Sequence, residues 1–222
     1  MIRNQLAHRI NQPLKLASYN RTPRRSYGAM SGVPLHYYVI AANSLFYMAW
    51  HSRLFSHELL MKHFFTNRYN MVQKRYYTLY TSAFAHNNII HLLANCAGLY
   101  MLSGPLESTF GSTVFWQLHV LGGLGGGLYW YITNGYKSGQ SSIGASSAIC
   151  AHLAFFIMNF PNAMFYIFPI PMPIPGWLLG IGFVGYSYAQ SNNRHTIISH
   201  AGHLGGFMAG LLYYYLWKNH VV

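Results

Sequence analysis

From residue 34 onward the chain runs in long apolar stretches separated by short polar breaks. Long apolar runs read as membrane helices, and shorter ones as helices shielded by their neighbours. Six spans are predicted, at about 34–50, 89–101, 113–132, 146–160, 165–189 and 198–217. The fourth is too short to cross a core of about 30 Å at 1.5 Å per residue. Its N-terminal end should therefore lie below the surface, within reach of water. The fifth is broken near its start by Pro169, Pro171, Pro173 and Pro175. Such breaks are tolerated only where protein or water satisfies the freed backbone groups. The 51–88 loop sets Leu54, Phe55, Leu59, Leu60 and Phe64 among Arg, Lys and His, an amphipathic pattern suited to the membrane interface. The Tyr-rich ends of the spans, such as Tyr213 to Tyr215, read as an interfacial belt.

Residues 1–32 form a separate arm. It holds Arg3, Arg9, Lys15, Arg21, Arg24 and Arg25 and no acid. That is the composition of a mitochondrial presequence, or of a basic tail touching anionic lipid. The domain division is 1–32 for the arm and 33–222 for the six-helix membrane domain.

Composition sharpens this picture. The chain is 52% hydrophobic and 7% charged, whereas soluble domains carry about 25% charged residues. There is no Asp, and the two acids are Glu58 and Glu107. An aspartyl dyad and a His-Glu-x-x-His zinc site are both excluded, and no cofactor or metal is expected. The net charge of +12 does not imply nucleic acid, because the basic residues concentrate in the arm and the first loop instead of on a soluble face. Cys96 and Cys150 fall inside apolar stretches and read as small buried hydrophobes.

The polar residues then converge. His86, His91 and Asn95 enter with the second span, Ser146 opens the fourth, and His200 and His203 open the sixth. Counting crossings puts all of them at one level on one side of the membrane. Intramembrane polar residues are costly and mark function. Taken singly, Ser146 is a packing residue and His203 a satisfied buried histidine; His119, His152 and His200 read as buried histidines bonded to backbone carbonyls. Taken together, Ser146 and His203 make a nucleophile and its base. His91 and Asn95, four apart on one helix face, are side-chain donors for an oxyanion. Gly144 keeps the Ser146 helix slim, and Gly206 with Gly210 does so for the His203 helix. No acid is placed to orient His203, so the pair is a dyad.

The strings that carry this chemistry are Gly144-Ala145-Ser146-Ser147 and His200-Ala201-Gly202-His203-Leu204-Gly205-Gly206, with His86, His91 and Asn95 before them. Gly104-Pro105-Leu106-Glu107 followed by Gly111 stands after the second span, and Ile170 to Trp177 carries a Pro series. In this order on six spans they resemble the rhomboid intramembrane serine proteases, in their mitochondrial branch. The resemblance covers about residues 34–217 and implies an all-α, six-transmembrane-helix fold. It implies a protease in the mitochondrial inner membrane, crossing it several times and cleaving single-span membrane protein substrates within the lipid bilayer. Ser146 would be the nucleophile and His203 the base. His91, Asn95 and the Ser146 backbone would hold the oxyanion. His86 would anchor a loop or retain water, Glu107 and Gly111 would be structural, and the 51–85 loop would be a lateral wing. Two positions depart from the family: Ser147 stands where Gly or Ala is usual, bearing on close approach of substrate, and Tyr77-Thr78 replace a Trp-Arg pair of the wing. The rival reading is a rhomboid-like, non-catalytic subunit of a larger inner-membrane assembly. A transporter is disfavoured, since no inverted repeat or intramembrane acid is present.

Overall fold

The computed structural model describes residues 32–135, 139–167, 171–191 and 199–222. The arm over residues 1–31 lies outside them. The first helix, α1 (Leu35–His51), is followed by a loop that folds into three short helices, α2 (His57–His63), α3 (Arg68–Val72) and α4 (Thr78–Thr81), and a 3-10 turn (Ser82–Phe84). Then come α5 (Ile89–Gly98), a π turn (Leu99–Ser103), α6 (Gly104–Phe110), α7 (Ser112–Asn134), α8 (Ser146–Asn159), α9 (Gly176–Gln190) and α10 (His200–Lys218). Helices thus stand at each of the six predicted positions. Among the described residues one continuous stretch, Ile89–Phe110, is both long and apolar enough to cross a bilayer. At 14 residues, α8 is about 21 Å long. Large apolar side chains face outward all around, among them Leu45, Ile90, Leu93, Ile132, Ile181 and Leu212, a surface that suits lipid and not water.

Two boundaries differ from the sequence reading. The second span does not stop near Met101; the π turn and α6 carry it to Phe110. Pro105 sits in the first turn of α6, where no intrahelical N–H is needed and its ring is tolerated. The fifth span does not begin at Phe165. Met164–Phe165 pairs antiparallel with Ile174–Pro175, and helix starts only at Gly176. Proline lacks the N–H a helix needs, so α9 is shorter than expected; Pro169 and Ile170 lie outside the described residues.

The wing is tied inward. Thr66 Oγ1–H donates to the Thr78 carbonyl at 2.7 Å, and Asn70 Nδ2 donates to the carbonyls of Met61 and Phe65 at 2.8 and 2.7 Å. Where the family's Trp-Arg pair is absent, Tyr77 Oη lies 2.7 Å from His63 Nδ1, and Arg75 donates to Asn70 Oδ1 at 3.1 Å. The main core packs Leu99, Leu106, Phe115, Leu118, Phe155 and Tyr213. Tyr213 is therefore not part of an interfacial belt: it is 2% exposed, and its hydroxyl donates to Gln117 Oε1 at 2.6 Å. A polar tip inside an apolar core needs such a partner.

The heart of the bundle is where α8 meets α10. A Cβ on Gly206 would run into the backbone of Ser147, and one on Gly210 into that of Ala151. Main chain lies on main chain, which only glycine permits.

Candidate active site

The turn before α8 is set by backbone. Gly144 has φ +105°, a conformation that L side chains rarely adopt. Its N–H donates to the Ser82 carbonyl at 2.8 Å, and Thr66 and Ser142 exchange backbone bonds of 3.1 and 2.9 Å. The wing thereby holds the strand of chain that delivers Ser146. Across from it, Ser142 Oγ lies 3.1 Å from Ser199 Oγ, joining this loop to the residue that caps α10.

From these two starts Ser146 and His203 meet. Ser146 Oγ lies 2.8 Å from His203 Nε2, within hydrogen-bond reach. Phe183 stacks on the His203 ring with centroids 6.2 Å apart. Both residues open into a cavity of about 760 Å³ that is also lined by His91, Asn95, Ile149 and His200. Asn95 is 4% exposed; its Nδ2 donates to the His91 carbonyl at 2.8 Å and keeps a second hydrogen. The first N–H groups of α8, Ser146 among them, have no intrahelical acceptor and point past the helix start.

Gly144 is needed twice over. Besides its φ, a Cβ there would lie 2.5 Å from His91 Nε2, so the His91 ring rests directly on the turn before the serine. His86 is fully buried, with Nδ1 at 3.2 Å from the Phe84 carbonyl and its ring 4.9 Å from that of His91. It lies in the loop before α5, and burial pushes its pKa down to about 4, with His91 adding to the effect.

The structure thus brings Ser146, His203, His91, Asn95, His86 and Gly144 into one region, with Gly206 behind Ser147. Ser147 itself does not face the cavity. A Cβ on Gly126 would meet its Cβ and Oγ, so the departure from the family's small residue concerns helix packing. Of the three histidines expected to bond to backbone carbonyls, one has a backbone partner, His152 with Phe115. His119 and His200 have no hydrogen-bond partner among the described residues, and His152 Nδ1 meets Ser103 Oγ at 2.7 Å. His119 and His152 are held by rings, stacked or tilted against Phe115, because the apolar core offers area and few acceptors.

A family model described as the rhomboid domain matches residues 73–219. The chain belongs to the rhomboid family. It is of the mitochondrial type: it is 30% identical over 183 residues to RHOMBOID-like protein 12, mitochondrial, of Arabidopsis thaliana, covering 76% of this chain and 54% of that protein. Rhomboid protein 1, mitochondrial, of Saccharomyces cerevisiae is 31% identical over 156 residues, covering 67% and 45%. Presenilin-associated rhomboid-like protein, mitochondrial, of Homo sapiens is 26% identical over 203 residues, covering 82% and 49%. This rhomboid spans about half the length of the relatives it matches. Its mitochondrial relatives and its rhomboid domain support a location in a mitochondrial membrane.

Proposed function

We propose that this rhomboid is an intramembrane serine endopeptidase that cleaves single-span membrane proteins at or near their membrane segment. The observation that carries the reading is the 2.8 Å contact between Ser146 Oγ and His203 Nε2, inside a cavity whose lining includes Asn88, Asn95 and Ser142. A serine hydroxyl becomes nucleophilic when a base in hydrogen-bond reach takes its proton. Ser146 Oγ bonds to the scissile carbonyl carbon as its proton passes to His203 Nε2. That proton then goes to the leaving amine as the C–N bond breaks. Water repeats the sequence on the acyl-enzyme and returns the proton to Ser146. The oxyanion falls to the Ser146 N–H and the Asn95 amide, with His91 beside them. His86, Gly144 and Gly206 hold these groups in place.

The same reading gives residues 33–222 six membrane-spanning helices in the mitochondrial inner membrane, with α8 shielded by its longer neighbours. The basic arm over 1–32 would serve import or contact anionic lipid. Substrate would reach the cavity from the bilayer beside the wing, and no cofactor takes part.

The test is labelling with a fluorophosphonate serine probe in native membranes or detergent, comparing wild type with Ser146→Ala. Labelling that vanishes in the variant is expected. A folded wild type that does not label would overturn the reading in favour of a non-catalytic subunit of a larger inner-membrane assembly.

A further inference from the structure

A second cleft, of about 360 Å³, opens in the wing. Lys62, Arg68 and Arg75 line it, and Glu58 is the one carboxylate that does so among the described residues. Three cations against one acid leave two positive charges in excess. Like charges gathered in one concavity focus their field and raise the local concentration of anions.

Arg75 is held ready for such a ligand. Asn70 is fully buried, and its Nδ2 is committed to the Met61 and Phe65 carbonyls. Its Oδ1 therefore faces Arg75 and accepts from Nη1 at 3.1 Å. The guanidinium also lies 5.4 Å from the centre of the Tyr69 ring, a cation over an aromatic face. A guanidinium has five donors, so this one is oriented and keeps donors to spare. Its planar fork matches the oxygens of a phosphate. Lys62 and Arg68 are exposed at the same cleft, where long stems can bring their charged ends to the anion.

The rest of the wing points to the source of the anion. Leu54, Val72 and Tyr76 stand exposed on it, and apolar and tyrosine side chains among Lys and Arg suit the level of lipid headgroups. The opposite wall is the loop that leads to α8. Gln140 and Ser141 line both this cleft and the cavity that holds Ser146. Just beyond them the backbone bonds between Thr66 and Ser142 close that loop onto the wing. We propose that this cleft binds the phosphate of an anionic phospholipid headgroup through Arg75, Arg68 and Lys62, and that the bound headgroup steadies the loop delivering Ser146. The inference rests on the membrane location of the rhomboid domain, and it stands whether or not Ser146 is a nucleophile.

The test uses the full chain in a neutral detergent, titrated with short-chain phosphatidylglycerol while hydrogen exchange is followed at residues 139–142. Exchange should slow and saturate. Lys62→Gln and Arg75→Gln should each raise the half-saturating concentration about fivefold, the effect of one basic residue near anionic lipid. Glu58→Gln should lower it by about the same factor, a sign that a merely structural role would not produce. Short-chain phosphatidylcholine, whose headgroup has no net charge, should protect far less. Equal protection by the two lipids, or half-saturation unchanged in all three variants, overturns the proposal. Equal protection by inorganic phosphate or by a polyglutamate peptide overturns its lipid source. Lys62 and Glu58 are exposed, so their variants carry the test even if Arg75→Gln fails to fold. The readout needs no activity, so a chain that does not label with fluorophosphonate still decides the headgroup site.

Discussion

Glu107 caps the helix that begins at Leu35, 72 residues away in sequence. Its Oε1 accepts from the Leu35 N–H at 2.8 Å, and its Oε2 accepts from the His36 N–H at 3.0 Å and from His36 Nδ1–H at 2.8 Å. Ser112 Oγ–H donates to Oε1 at 2.6 Å. One carboxylate, 1% exposed, thus fastens α1 and the start of α7 to α6. An anion at a helix N-terminus is favoured by the unpaired N–H groups and the helix dipole.

Glu107→Ala should therefore destabilise the fold more than any ordinary surface change. Hydrogen bonds to a charged group contribute about 1.5–3 kcal/mol each, so a loss of at least about 3 kcal/mol is expected, read as the unfolding midpoint in detergent. An unchanged midpoint would show that α1 is held by packing alone.

Widening the contact between α8 and α10 should separate the dyad without touching it. Gly206→Val places carbon where the Ser147 backbone lies, and a displacement of about 1 Å costs on the order of 100-fold in rate. Fluorophosphonate labelling reads it directly. Ser147→Ala removes only an oxygen that faces Gly126, and its labelling rate should stay within about twofold of wild type, since changes away from such features have effects within about 0.5 kcal/mol.

Asn95→Ala removes an amide whose second hydrogen is free for an oxyanion. Loss of one such donor typically costs about 10²–10³ in rate. Peptide turnover should fall by that order with the fold intact, and an unchanged rate would take Asn95 out of the reaction.

His86 gives a pH dependence of stability with a definite sign. Its folded pKa, about 4, lies below the ordinary histidine value of 6.5. The unfolded chain therefore binds its proton first. The stabilisation from a neutral His86 is complete above about pH 6.5 and is lost as pH falls toward 4. Unfolding midpoints measured between those limits should drop with acid, and the slope should be shallower by about one proton in His86→Phe. Equal slopes would place the titration elsewhere.

Much of the site was legible because its residues mark helix starts. Ser146 and His203 open α8 and α10, so a count of crossings put them at one level, and the small residues at 144, 206 and 210 signalled close helices. The cap on α1 was not legible: nothing local ties His36 to Glu107, and the sequence places that acid only as structural. The extent of the second span was hidden by Gly104 and Pro105, which read as a stop, although a proline in the first turn of a new segment costs no hydrogen bond. His119 was misread because a buried imidazole suggests a carbonyl partner, and among the described residues aromatic faces take that place.

The contact of Gly206 with Ser147 has one more consequence. Where two helices touch through side chains, their separation can drift as those side chains are exchanged over generations. Here nothing softer than peptide groups separates them. Lipid-facing positions such as Leu212 and Ile132 can therefore be replaced to suit a bilayer of another thickness or composition while the reach from serine to histidine stays the same, so the outer surface of this rhomboid is free to adapt and its chemistry is not carried along.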